Sequence, residues 1–156
     1  MALQMVIDQS GSMSDGNGII TNLDLAKEAA NAAVENVRDT DYVGVMAFDD
    51  SFDRVVPLQI AEDKGEISNK IFSIGIDGGT SIYPALLAAA TDVSETDAQI
   101  KHIILLTDGQ DTYGNYEELK KTINDAGITL STVAVGTGCN DTLLRDLAES
   151  CNGRYG

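Results

Sequence analysis

The sequence predicts one α/β domain with a doubly wound, mostly parallel central sheet, one antiparallel edge strand and helices on both faces. Short runs rich in valine, isoleucine and leucine alternate with segments in which apolar residues recur every three to four positions. Such runs are typical of strands buried on both faces, and such segments of amphipathic helices. The length of 156 residues suits a single core. We therefore assign residues 1–156 to one domain.

The first third of the chain predicts two apolar strands, a helix between them and a hairpin. Residues 3–7 form a short apolar strand, and residues 22–37 carry leucines, alanines and valines at helical spacing. Residues 42–48 form a second apolar strand. Residues 52–58 alternate in polarity and contain Pro57. Because proline is confined to sheet edges, we place this strand at the edge, antiparallel to its predecessor.

The rest of the chain predicts a regular alternation of helix and strand. Pro84 falls in the first turn of a strongly apolar helix, where its missing N–H costs little, and Gly127 ends a later helix. The most apolar strand of the chain, at 101–107, follows the helix that contains Pro84. The predicted elements are helices at 64–74, 81–93, 116–125 and 141–150, and strands at 101–107 and 129–135.

The charge excludes two classes of partner. Ten lysines and arginines stand against 25 aspartates and glutamates, which gives a net charge of −15. Nucleic acid and anionic lipid both require clustered basic residues, so we expect neither as a partner.

Nothing in the chain predicts membrane insertion or secretion. No apolar run reaches the ~18 residues of a membrane span, and the first residues lack the pattern of a signal peptide. Both ends look cut, so we expect a domain excised from a larger protein. That parent is expected to be membrane-anchored with this domain outside the cytoplasm, and a cytoplasmic parent is the alternative.

Carboxylates and hydroxyls follow the predicted strand ends. Asp8, Ser10 and Ser12 come after the first strand, and Asp108 comes after the most apolar strand. Thr80 follows two glycines just before the apolar helix. In open α/β sheets, ligands bind beyond the carboxyl ends of the strands, where the strand order reverses. These five oxygen-bearing side chains are the ligands that a hard divalent cation such as Mg²⁺ or Mn²⁺ prefers, and they do not suit copper or zinc.

The pattern Asp8-x-Ser10-x-Ser12, with the distant Thr80 and Asp108, resembles the metal-ion-dependent adhesion site of von Willebrand factor A domains. The resemblance covers nearly the whole chain and implies a Rossmann-like fold. The sequence of residues 107–110 resembles that of bacterial members of the family more than that of animal members. One departure is expected: such domains usually carry one more strand after the last helix, and this chain stops where that strand begins, so we predict a truncated final strand.

The resemblance also implies a mechanism. Ser10, Ser12 and Thr80 would offer hydroxyl oxygens to Mg²⁺, or to Mn²⁺ or Ca²⁺, while Asp8 and Asp108 act mostly through water. Neutral hydroxyls leave the ion's charge only partly quenched, so an Asp or Glu of a partner protein or peptide can displace a water and complete the shell. Because the domain itself is acidic, the surroundings of that residue on the partner should be basic or neutral.

Two other functions remain open on the sequence. Asp8 could be the nucleophile of a Mg²⁺-dependent phosphatase or a phospho-receiver. However, the phosphatase pattern places a second aspartate at the position of Ser10, and no lysine follows a strand end as a receiver requires. We therefore expect a binding domain with no catalytic residues. Within the binding class, an intracellular domain that works with an ATPase is the alternative.

Overall fold

The computed structural model describes residues 1–16, 18–109, 114–136 and 141–156. Its strands are β1 (Ala2–Asp8), β2 (Tyr42–Phe48), β3 (Phe52–Ile60), β4 (Lys101–Thr107), β5 (Ile128–Ala134) and β6 (Asn152–Tyr155). Its helices are α1 (Asn22–Asn36), α2 (Lys64–Phe72), α3 (Ile82–Ser94), α4 (Tyr116–Asp125) and α5 (Asp141–Ser150), with a 3-10 helix at Gly11–Ser14.

In the described part of the chain, six strands form one sheet in the order β3-β2-β1-β4-β5-β6. All neighbouring strands are parallel except β2 and β3, which form the antiparallel pair at one edge. The predicted doubly wound sheet with one antiparallel edge strand is confirmed.

Helices cover both faces of the sheet and form two apolar cores. Alternate residues of β1 serve opposite faces: Val6 packs with residues of α3, α4 and α5, whereas Ile7 packs with residues of α1 and α2. Because successive side chains of a strand point to opposite sides, β1 contributes to both cores and is buried along its length. It therefore provides a fixed base for the loop that follows it.

The expectation that the chain stops before its final strand is wrong. Residues Asn152–Tyr155 form β6, which pairs in parallel with β5. Asn152 takes a positive φ of 58°, a conformation that asparagine tolerates better than most residues, and the chain turns from α5 straight into the strand. Gly153 lies so close to β5 that a side chain there would overlap the Leu130 carbonyl.

The strand order reverses on the two sides of β1. From β1 the chain continues to β2 on one side, and β4 lies on the other. The loops after β1 and β4 therefore meet at one edge of the sheet, where ligand sites of such folds are found. None of the described helices has the length and apolar character that crossing a bilayer requires.

Candidate metal centre

The loop after β1 begins with a fully buried carboxylate. Asp8 is 0% exposed. Its Oδ1 accepts a hydrogen bond from the Ser10 amide at 2.8 Å, and its Oδ2 accepts one from the Thr107 hydroxyl at 2.7 Å. Both carboxylate oxygens are thus held in place by donors from two neighbouring strand ends.

The next residues form a tight turn that brings two hydroxyls together. The Met13 amide donates to the Ser10 carbonyl at 2.9 Å, and the chain coils into the 3-10 helix. The hydroxyls of Ser10 and Ser12 lie 3.1 Å apart. The 3-10 turn therefore brings the two serine hydroxyls together.

A second loop is held directly against the first. The Asp77 amide donates to the Gln9 carbonyl at 2.8 Å, and the Gly11 amide donates to the Gly78 carbonyl at 3.1 Å. Gly78 has a positive φ of 57°, which favours glycine. Thr80 follows two residues later, half-buried, just before α3. The two hydrogen bonds therefore place the segment that carries Thr80 beside the loop that carries the two serines.

The third component is the end of β4. Asp108 is 2% exposed and follows directly after β4, the neighbour of β1 in the sheet. The Thr107 hydroxyl donates to Asp8 and accepts from the Gly109 amide at 3.0 Å. It therefore ties the two strand ends together. The sequence interpretation assigned Thr107 no role, although a hydroxyl at the last position of the most apolar strand could have drawn attention to it.

The three segments thus bring the predicted residues Asp8, Ser10, Ser12 and Asp108 to one edge of the sheet, with the Thr80 segment bonded against them. Residue 110, the last of the segment that resembles bacterial members, lies outside the described residues. Among those described, no three histidine, cysteine, aspartate or glutamate side chains come together as a metal-binding group. The donor set at this edge is instead one of hydroxyls with two carboxylates.

The electrostatics of this edge favour a cation. Burial raises the pKa of Asp8 above its ordinary value; hydrogen bonds from Ser10 and Thr107 oppose that shift, and the nearby Asp108 carboxylate adds to it. No lysine, arginine or histidine in the described residues forms an ion pair with Asp8. A buried carboxylate is costly without a positive partner. The residues present therefore fit a hard divalent ion.

A further acidic side chain supports the loops. Asp49 follows β2, and its carboxylate accepts hydrogen bonds from the Ser51 amide at 2.8 Å and from the Gln9 side chain at 3.3 Å. The Ser51 amide is the main reason that the pKa of Asp49 lies below its ordinary value. A side chain at Gly78 would crowd the Asp49 side chain. Asp49 is thus part of the packing that holds the two loops together.

Residues 3–155 match the family model of the von Willebrand factor type A domain. The chain belongs to this family. An uncharacterised protein of Synechocystis sp. is 29% identical over 155 residues, which cover 97% of this chain and 36% of that protein. A solved von Willebrand factor type A structure from Catenulispora acidiphila is 26% identical with a TM-score of 0.84, covering 99% of this chain and 37% of that one.

A third relative carries a metal. Proximal thread matrix protein 1 of the mussel byssus, in a structure with zinc in its metal-ion-dependent adhesion site, is 26% identical with a TM-score of 0.83. The match covers 98% of this chain and 40% of that chain. This von Willebrand factor type A domain spans between 14% and 36% of the length of the curated relatives it matches. Domains of this family are generally interaction and adhesion modules that work through a divalent metal.

Proposed function

We propose that this domain binds a divalent cation at the edge formed by the β1 and β4 loops and uses it to bind an acidic residue of a partner protein or peptide. The observation that carries the proposal is the pair of buried carboxylates, Asp8 and Asp108, with no ion pair to Asp8 in the described residues. Membership of an interaction family supports it.

Each residue has a distinct part in this proposal. Ser10, Ser12 and Thr80 would offer hydroxyl oxygens to the ion, and the Ser10–Ser12 spacing of 3.1 Å suits two donors to one centre. Asp8 orients Ser10 through its amide, and Asp8 and Asp108 would supply the negative charge that retains the cation. When bound, the ion supplies an electrophilic centre for a carboxylate oxygen. We propose Mg²⁺, with Mn²⁺ or Ca²⁺ as alternatives, because all the donors are oxygens; the zinc in the site of the mussel relative shows that an adhesion site of this family can also hold zinc, against our expectation from the sequence.

The cation is tested by calorimetric titration of Mg²⁺ and of Mn²⁺ into the wild type, Ser10→Ala and Ser14→Ala. The matched control removes an exposed hydroxyl of the same turn, which donates to the Gly11 carbonyl at 2.7 Å. We expect one ion per chain in the wild type and in Ser14→Ala, and at least tenfold weaker binding in Ser10→Ala. Absence of binding in the wild type, or equal affinity in both variants, would contradict the proposal.

The acceptor function is tested with acetate as the simplest carboxylate. The longitudinal relaxation rate of water protons, measured on Mn²⁺-loaded protein, reports exchangeable waters on the ion. Acetate should displace such a water and lower that rate, whereas chloride at equal ionic strength should not. A relaxation rate that acetate leaves unchanged would count against a coordination position open to a partner's carboxylate.

The setting of the domain is part of the proposal. We propose a longer, membrane-anchored parent with this domain outside the cytoplasm, and a cytoplasmic parent that works with an ATPase is the alternative. The sequence flanking the domain in the parent distinguishes them, because a hydrophobic span supports the first and an adjoining ATPase gene or domain supports the second.

A further inference from the structure

Exposed apolar side chains cluster beside the candidate metal loops. Eight large apolar side chains of the described residues are exposed, and five of them fall within segments 19–25 and 72–76. Ile19 is 89% exposed and Phe72 is 49% exposed. Single exposed apolar residues are ordinary, but a local concentration of them marks an interaction surface.

Two of these side chains form the walls of a groove. Ile20 and Phe72 line a surface groove of about 350 Å³, together with Asp24, Lys27 and Glu28 of α1. We call this feature the Ile20–Phe72 groove. Its volume accommodates one or two side chains rather than a folded element.

The Ile20 wall is a continuation of the first metal loop. Directly after the 3-10 helix, Gly16 and Thr21 form an antiparallel bridge, and the Asn22 amide donates to the Asp15 carbonyl at 2.7 Å. The Thr21 hydroxyl then accepts from the Asp24 amide at 3.1 Å and caps α1. Ile20 therefore lies next to a bridged residue, Thr21, whose partner Gly16 follows the loop of Ser10 and Ser12.

The Phe72 wall is a continuation of the second metal loop. The Lys27 ammonium donates to the Phe72 carbonyl at 3.1 Å, which fixes the end of α2 against α1. Five residues later, Asp77 is bonded to the first loop through the Gln9 carbonyl. Five residues of chain reach at most about 18 Å, so a short partner segment can contact both the groove and the metal edge.

The charge of the groove defines its occupant. Asp24 and Glu28 stand beside the apolar walls, and Lys27 already bonds to a backbone carbonyl. The domain as a whole carries −15. An apolar side chain accompanied by a lysine or arginine complements such a surface, whereas an acidic neighbour would be repelled.

We infer that the Ile20–Phe72 groove is a second contact for the partner whose carboxylate reaches the metal. The partner segment places an apolar side chain between Ile20 and Phe72 and a basic side chain toward Asp24 and Glu28. This inference rests on the proposed function and narrows the partner to a segment that combines an acidic, an apolar and a basic residue within a few positions.

The test selects random twelve-residue peptides displayed on phage against Mn²⁺-loaded protein. We expect the enriched peptides to share an Asp or Glu and an apolar residue next to a Lys or Arg. A selection that yields no peptide, or peptides with a carboxylate and no apolar residue, overturns the inference.

One enriched peptide is then measured by fluorescence anisotropy against four proteins: the wild type, Ile20→Ser, Phe72→Ser and the control Ile100→Ser. Ile100 is 64% exposed and precedes β4 at the other end of the sheet. Because each groove variant loses an apolar contact that the peptide would bury, its affinity for the peptide should be at least tenfold weaker. The affinity of the control should stay within twofold of the wild type. All three variants change exposed side chains, and circular dichroism verifies that they fold.

The outcomes separate this inference from the proposed function. Calorimetry should give the same Mg²⁺ affinity in Ile20→Ser and Phe72→Ser as in the wild type. If the peptide needs metal but binds the groove variants as tightly as the wild type, the groove inference alone fails. If the wild type binds no metal, the proposed function fails and the inference falls with it. A dimer in sedimentation that Phe72→Ser abolishes would also overturn it, because a second copy would then be the occupant.

Discussion

Replacing Asp8 with asparagine should have opposite effects on stability with and without divalent metal. Asp8 is fully buried, carries no ion pair in the described residues, and lies near the Asp108 carboxylate. Asparagine keeps an oxygen for the Ser10 amide, but the Thr107 hydroxyl, which already accepts from the Gly109 amide, loses its acceptor on residue 8. In EDTA, Asp8→Asn therefore removes a buried charge at the cost of one hydrogen bond, and we expect the removal of the charge to outweigh that cost.

The expected sizes follow from the two opposing effects. Without metal, removal of the buried charge should stabilise the variant by about 1 kcal/mol, which raises Tm by about 2–4 °C for a domain of this size. With Mg²⁺ at a hundred times its Kd, the wild type should gain about 2.7 kcal/mol, or about 5–10 °C in Tm. Asp8→Asn, which lacks the charge that retains the ion, should gain little. The order of stability therefore reverses between the two conditions.

The sign of the pH dependence follows from the raised pKa of Asp8 in the folded protein. The folded state holds the Asp8 proton more tightly than the unfolded state, so in EDTA the wild type loses stability as pH rises through the unfolded and then the folded pKa. The advantage of Asp8→Asn in EDTA should thus be present at pH 7 and vanish at low pH.

The assay is thermal unfolding followed by circular dichroism in EDTA and in Mg²⁺ at constant ionic strength. Asp53→Asn is the matched control, because it removes one negative charge from an exposed position of β3. The control should respond to Mg²⁺ as the wild type does. Equal Mg²⁺ shifts in the wild type and Asp8→Asn, or a variant less stable than the wild type in EDTA, would refute the reasoning.

Two further predictions concern the fold. The hydrogen bond from the Arg38 amide, at 2.8 Å, is the main reason that the pKa of the buried Asp41 lies at about 2. The ionised Asp41 side chain stabilises the fold above its unfolded pKa, and this stabilisation is lost as pH falls from ~4 to ~2. Asp41→Asn should therefore lower the free energy of unfolding in urea by about 1–2 kcal/mol at pH 7. A difference between wild type and variant that persists at pH 2 would disprove this. Gly153→Ala should displace β6, because the new Cβ would overlap the Leu130 carbonyl. We expect faster amide exchange along β5 and β6, and unchanged exchange would argue against this packing.

The sequence predicted the elements best where apolar periodicity is strong. The strand at 101–107 and the helices at 116–125 and 141–150 have the predicted bounds. The observed bounds differ from the predicted ones at some element ends. Ser81, for example, was predicted as helical and is the residue before α3. The edge strand β3 continues to Ile60, two residues past its predicted end, because edge residues alternate with exposed polar ones and give a weak apolar signal.

The candidate site was predictable in its residues and not in its connections. Residues that follow strand ends share one sheet edge, so spacing alone brings Asp8 and Asp108 together as candidates. The bonds that fix them depend on which strands are neighbours. Thr107 donates to Asp8 because β4 lies next to β1, and the sequence pattern does not indicate which side chains bond to each other across that pair. The Ile20–Phe72 groove was hidden for the same reason, since its walls come from two segments that meet only when α1 packs on α2.

The distribution of charge gives a reason why one partner segment should use both the proposed metal and the Ile20–Phe72 groove. Basic side chains elsewhere are largely engaged: Arg54 bonds to Asp92, and Lys120 bonds to Glu117 and Asp146. An approaching carboxylate meets a domain of net charge −15, and under the proposed function the bound cation offers it a favourable contact at short range. A basic residue on the same segment changes that approach, because the long-range field attracts it toward Asp24 and Glu28 before the carboxylate reaches the ion. In the proposed mechanism, the acidic side chains of the groove would attract the basic residue of the partner at long range, and the metal would select its carboxylate at contact.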